Sequence, residues 1–209
     1  MSITNKENIK DMYYLSPLQE GMLFHSMLDS GSRFYFEQMV FTLKGTLNPI
    51  LLKKSFQQLV NRHDVLRTVF VYDKVKRPVQ VVLKSREADL EFIDLTELDS
   101  ERQQKVIDER MALEVEKGFD LRKDLLVRII VYKISGSSYK FIWGHHHIIM
   151  DGWCFGIVIK ELLGIYKLLE SNLELDFGKP VPYSTYIKWL ERQNKSNALE
   201  YWKDYLSGL

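Results

Sequence analysis

The sequence predicts an α+β sandwich rather than a regular doubly wound sheet, and three observations carry the prediction. Helical and strand-like segments alternate without a repeating unit. Two apolar runs, Leu125 to Ile134 and Tyr139 to His147, flank Ser135, Gly136, Ser137 and Ser138, a polar turn that marks an antiparallel hairpin between helical regions. The 209 residues, 45% hydrophobic and 27% charged, supply a substantial core in an ordinary globular composition.

Taken in order, the first helix opens at Ser16 as cap, with Pro17 at the first helical position and Gln19 three residues after the cap, the pattern of a capping box. Leu18, Met22, Leu23 and Met27 form its apolar face. Phe34 to Leu43 is rich in aromatic and β-branched residues and reads as a strand closed by Gly45. Asn48 and Pro49 open a second helix with Leu52, Phe56, Leu59 and Val60 inward. Three strand-like runs follow, Leu66 to Tyr72, Pro78 to Leu83 and Leu90 to Leu95. A long helix from Ser100 to Lys117 stops at Gly118. After the hairpin, helix signals return from Trp153 to Glu170, and from Tyr183 to Leu206 with breaks. The loop from Ser171 to Pro182 is the one clear seam. It divides a polar segment 1–11 and a core 12–170 from a loop and helical crossing, 171–209.

Lys plus Arg is 29 and Asp plus Glu is 28, so no global field draws this chain to nucleic acid or an acidic membrane. The basic stretch Lys74, Lys76, Arg77, Lys84 and Arg86 is broken by apolar residues and reads as a solvated strand face. Cys154 is the only cysteine, which excludes an internal disulfide and suits a reducing cytosol. The N-terminus is polar, without an apolar signal core, and no apolar run approaches the roughly 20 residues of a spanning helix. The expectation is a cytoplasmic protein with no membrane or nucleic-acid partner.

The chemistry-bearing feature is the histidine run. His145, His146 and His147 end a strand, and Asp151 and Gly152 follow just before a helix. Alternation puts Tyr139, Phe141, Trp143, His145 and His147 on one face, and Ile142, Gly144 and His146 on the other. Adjacent histidines therefore cannot all serve one site. A zinc centre needs three or four convergent ligands, which Asp151, His25 and His63 would complete only by coincidence, so no metal is expected. A histidine at a strand end is held rigidly, an aspartate four residues on can shape the turn, and a glycine admits close backbone approach.

His146-His147-x-x-x-Asp151-Gly152 resembles the HHxxxDG motif of the condensation domains of non-ribosomal peptide synthetases. Ser16-Pro17-Leu18-Gln19-Glu20-Gly21-Met22-Leu23-Phe24-His25 resembles their first signature, and Arg62-His63-Asp64-Val65-Leu66-Arg67-Thr68-x-Phe70 their second. Pro182-Tyr183 and Tyr201-Trp202 are similar to later stretches. The resemblance spans essentially the whole chain and implies the chloramphenicol acetyltransferase-like α/β sandwich, as the N-terminal lobe of a two-lobe domain. It implies amide formation between two substrates that arrive on phosphopantetheine arms of upstream and downstream peptidyl carrier domains, with an adenylation domain in the parent protein and no cofactor bound directly. It also implies His147 as the catalytic histidine and His146 and Asp151 as support.

A free α-amine with a pKa near 7.7 to 8.0 is about a tenth neutral at pH 7, so its deprotonation costs only about a kcal/mol. His147 then acts either as a general base during attack or by holding the amine in place. A buried carboxylate needs a partner, and the expectation is that Asp151 pairs with Arg62 or Arg67. Gly152 reads as a turn residue, Trp153 as packing, and Cys154 as no acyl carrier, because no histidine is evidently paired with it. The later motifs of the family are not in the sequence, so the histidine is expected at an open lobe face, in a chain that folds but catalyses little. Should the parent begin at Met1, segment 1–11 is either a docking element or a frayed end. The competing readings are an epimerisation-domain lobe, a non-catalytic recruitment domain and, more remotely, a coenzyme A-dependent acyltransferase.

Overall fold

The computed structural model describes residues 6–28, 34–173 and 177–208. Seven strands and six helices follow in the order β1 (Ile9–Tyr14), α1 (Pro17–Leu28), β2 (Phe36–Lys44), α2 (Pro49–Arg62), β3 (Thr68–Val71), β4 (Val79–Leu83), β5 (Leu90–Asp94), α3 (Ser100–Lys117), β6 (Val127–Ser135), β7 (Ser138–His146), α4 (Gly152–Glu170), α5 (Tyr183–Glu191) and α6 (Lys195–Tyr205). The main sheet runs β2-β7-β6-β5, antiparallel except for the parallel β5–β6 pair, and a smaller antiparallel sheet runs β1-β4-β3.

Alternation along β7 decides the layers. Tyr139, Phe141 and Trp143 face α2 and α4, where Phe56, Leu59, Leu162 and Ile165 complete the main core. Ile142 faces the other way and meets Ile107 of α3 with Ile130 and Tyr132. The Trp143 ring lies edge-on to Phe56 at 5.9 Å and to Phe155 at 5.8 Å. Full burial of one such aromatic contributes roughly 1.5–3 kcal/mol, so this helix–sheet–helix stack holds the last residues of β7 firmly.

The predicted α3 bounds agree with the structure, and the hairpin turns on Gly136 and Ser137 between the paired Ser135 and Ser138. The capping box at Ser16 also forms: the Gln19 N–H donates to Ser16 Oγ at 3.2 Å, and the Ser16 N–H to Gln19 Oε1 at 3.0 Å. Asn48 Oδ1 accepts from the N–H groups of Ile50 and Leu51 and caps α2.

Four expectations need correction. The run from Leu66 to Tyr72 is not all strand, since Asp64–Arg67 forms a 3-10 turn before β3. β7 ends at His146, one residue early, and α4 begins at Gly152, also one residue early. The boundary between residues 11 and 12 falls inside β1, because Ile9–Tyr14 pairs along β4; of the N-terminal segment, residues 1–5 lie outside the described residues. In the seam 171–182, residues 174–176 lie outside them too. Among the described residues, no helix is long and apolar enough to cross a membrane.

Candidate active site

The three histidines leave the sheet in different states. His145 is 2% exposed and His146 7%, and their burial pushes both imidazoles down to about 4, so both are neutral at pH 7. The His146 N–H donates to Leu126 O at 3.0 Å, and its ring Nδ1 accepts from the Ile148 N–H at 3.1 Å. The ring of His146 is thereby committed to the turn. Ile148, Ile149 and Met150 then drop into the main core. With the apolar triplet pointing inward, His147 is turned outward, and its N–H donates to Tyr35 O at 2.8 Å.

His147 lines a cavity of about 530 Å³ between α1, the end of α2, the start of α4 and the loop before α5. Ser16, Arg62, His63, Asp151, Cys154 and Tyr183 line it with His147. The imidazole keeps 32% exposure, but its Nδ1 is buried without a hydrogen bond, so the accessible part of the ring lies toward Nε2.

The structure does not form the expected ion pair between Asp151 and an arginine. Asp151 is exposed and caps α4, its Oδ1 accepting the Cys154 N–H at 3.0 Å. Hydrogen bonds from this helix start hold its carboxyl below the usual carboxylate range, and the positive end of the helix dipole favours its charge further. The premise of a buried carboxylate in need of a counter-ion therefore does not apply.

Both arginines are engaged elsewhere. Arg62 donates through Nε to Glu161 of α4 at 3.0 Å, and through its other nitrogens to the carbonyls of Phe177 and Gly178. His63 Nε2 lies 2.5 Å from the same Glu161 oxygen. Arg62 thus ties α2 to α4 and to the loop that walls the cavity. Gly164 admits this loop, because a Cβ there would lie 2.9 Å from the Phe177 ring. Arg67 is 4% exposed and lies away from the cavity; it donates to the carbonyls of Val60, Leu83 and Lys84 and to Asp64. Its role is a clamp between α2 and β4.

Gly152 is also corrected. It is the first helical residue of α4 with no positive φ, and an added Cβ would meet nothing within 4 Å, so the position does not require glycine. Trp153 does not pack within this chain, at 89% exposure. Cys154 lines the cavity, but burial pushes its thiol upward, which opposes a nucleophilic role.

Sequence reading missed Gln19 as a site residue. Its side-chain amide donates to Ile148 O at 3.0 Å and exchanges hydrogen bonds with Gln80, stitching the first motif to the turn that projects His147. The capping-box spacing identified Gln19, but only the fold shows what else its amide reaches.

A family model described as Condensation domain matches residues 9–209. Surfactin synthase subunit 3 of Bacillus subtilis (strain 168) is 47% identical over 208 residues, covering 100% of this chain and 16% of the relative. Gramicidin S synthase 2 of Brevibacillus brevis is 43% identical over 206 residues, covering 99% of this chain and 5% of the relative. Among solved structures, the starter condensation domain of rhizomide synthetase superposes with a TM-score of 0.83 at 17% identity, covering 96% of this chain and 51% of that one. The first condensation domain of the CDA synthetase gives 0.80 at 16% identity, covering 96% and 50%. The chain therefore spans a small part of these synthetases and about half of the solved domains.

Proposed function

This chain belongs to the condensation-domain family of non-ribosomal peptide synthetases, with the chloramphenicol acetyltransferase-like fold of that family, and from this premise we propose that it is the histidine-bearing half of a catalyst of peptide-bond formation. The substrates are an upstream aminoacyl or peptidyl thioester and a downstream aminoacyl thioester, each on the phosphopantetheine arm of a carrier domain. An adenylation domain of the parent polypeptide supplies the activated amino acid, and the setting is cytoplasmic.

One observation carries this reading. Of three consecutive histidines, only His147 presents its ring to the cavity, while its neighbours are buried and neutral. The downstream α-amine attacks the upstream thioester carbon, the new C–N bond forms and the C–S bond breaks. The proton leaves the amine through Nε2 of His147 and ends on the departing thiolate. A near-neutral amine needs little help to lose its proton in the ground state, so His147 serves as much by orienting the nucleophile as by basicity. No acyl-enzyme is needed, in keeping with the raised Cys154 thiol.

The test is amide formation between loaded carrier domains by the complete parent protein. His147→Ala is expected to lower the rate on the order of 100- to 10,000-fold. Unchanged turnover would overturn the reading. The 209-residue chain alone is expected to give no detectable condensation, and product from it would contradict the need for a second half.

A further inference from the structure

Nδ1 of His147 is the buried nitrogen of the reactive ring and has no hydrogen-bond partner. A buried polar atom left in that state costs on the order of 1–3 kcal/mol, so a nearby acceptor matters. Oε1 of Glu37 lies 3.4 Å from it, an ion-pair distance short of hydrogen-bond geometry. Among the described residues, Glu37 has no other ion-pair partner, and its side chain is 48% exposed and free to adjust.

The backbone fixes this approach. Glu37 stands opposite His145 in the β2–β7 ladder, and Tyr35, two residues before it on the same chain, accepts the His147 N–H. The other carboxylate near the ring, Asp151, spends its Oδ1 on the start of α4. A carboxylate only accepts, so a Glu37 oxygen at Nδ1 selects the tautomer with its proton there and leaves the Nε2 lone pair free.

We propose that Glu37 is a positioning residue that holds His147 in the Nδ1–H tautomer, with Nε2 open toward the cavity. This role rests on His147 being the reactive histidine, but the tautomer is measurable without any turnover. The chain labelled with ¹⁵N-histidine, observed at pH 8.5, is expected to show His147 with a protonated Nδ1 and a bare Nε2. In Glu37→Ala the pattern shifts toward the Nε2–H form. In Glu37→Gln, whose amide fills the same space but can either accept from Nδ1 or donate to it, the preference for the Nδ1–H form weakens, which separates loss of an obligate acceptor from a fold effect. A wild-type ring protonated on Nε2, or a Glu37→Ala spectrum that keeps the wild-type tautomer, would overturn the role.

In the complete parent protein, Glu37→Ala is expected to lower kcat on the order of 10- to 100-fold with little change in KM, and to add nothing in a His147→Ala background. An effect of Glu37→Ala that persists undiminished without His147 counts against it. If the tautomer behaves as expected while His147→Ala leaves turnover intact, the proposed function fails and the Glu37 contact stands.

Discussion

His145 and His146 are buried to 2% and 7% exposure, whereas Asp151 and Gly152 stand in solvent and Trp153 is exposed to 89%. The two ends of one short motif are thus held on opposite terms. The histidine end is part of a ladder with strands on both sides and helices on both faces, so its shape follows from the core. The aspartate end is held by hydrogen bonds at the start of a single helix. Between them, Ile148, Ile149 and Met150 anchor the turn and set where His147 points. The difference shows that precision in this motif comes from burial at one end, while the other end is left open to whatever enters the cavity.

Acid should separate the two ends most strongly. Burial holds both His145 and His146 at about 4, against 6.5 for a free imidazole. The folded state therefore binds fewer protons than the unfolded state between these values. Stability from this source is complete above 6.5 and is lost as pH falls toward 4, by up to about 3 kcal/mol for each histidine. Between pH 6.5 and 5.5 the loss is already about 1 kcal/mol per histidine. Urea midpoints measured at half-unit steps check this, and a flat midpoint from 6.5 to 5 would mean that water reaches the rings.

Gln19 offers a sharper break of the buried end. The capping box accepts Glu as readily as Gln, so a purely local role predicts that Gln19→Glu is harmless. The structure requires an N–H donor at this position, because the amide nitrogen faces Ile148 O. Gln19→Glu is expected to cost about 1–3 kcal/mol, with Gln19→Ala similar. Thermal or urea unfolding of the two variants decides it, and a neutral Gln19→Glu would remove Gln19 from the support of the turn.

Much of this fold was legible because its signals are local. Ser16 and Asn48 mark the starts of α1 and α2 through side-chain caps, and Gly118 marks the end of α3 through backbone freedom. β1 escaped because Ile9–Tyr14 is a short edge strand that directly follows a polar run and buries none of its residues fully, alternating half-buried with exposed ones. The site was legible as far as its histidine. The partners of the arginines were not, because Arg62 and Arg67 show their charge in sequence but not the direction of their reach. Glu161 lies 99 residues after Arg62 in sequence, on a helix whose facing to α2 only packing reveals. Glu37 carried no signal at all, since its meaning depends on the β2–β7 register.

The smallest expected effect lies at the open end and distinguishes a cap from an ion pair. If Asp151 works only through the start of α4, Asp151→Ala costs about 1 kcal/mol, while Asp151→Asn, an equally good cap, costs a few tenths at most. An ion pair with Arg62 or Arg67 would make Asn nearly as harmful as Ala, because both remove the charge. Unfolding of the two variants at low and high salt reads the difference. Equal losses, relieved by salt in the wild type, would restore the arginine partnership and give the open end an anchor outside α4. A loss confined to Asp151→Ala would leave local capping as the sole support of this end, in contrast to the buried histidines beside it.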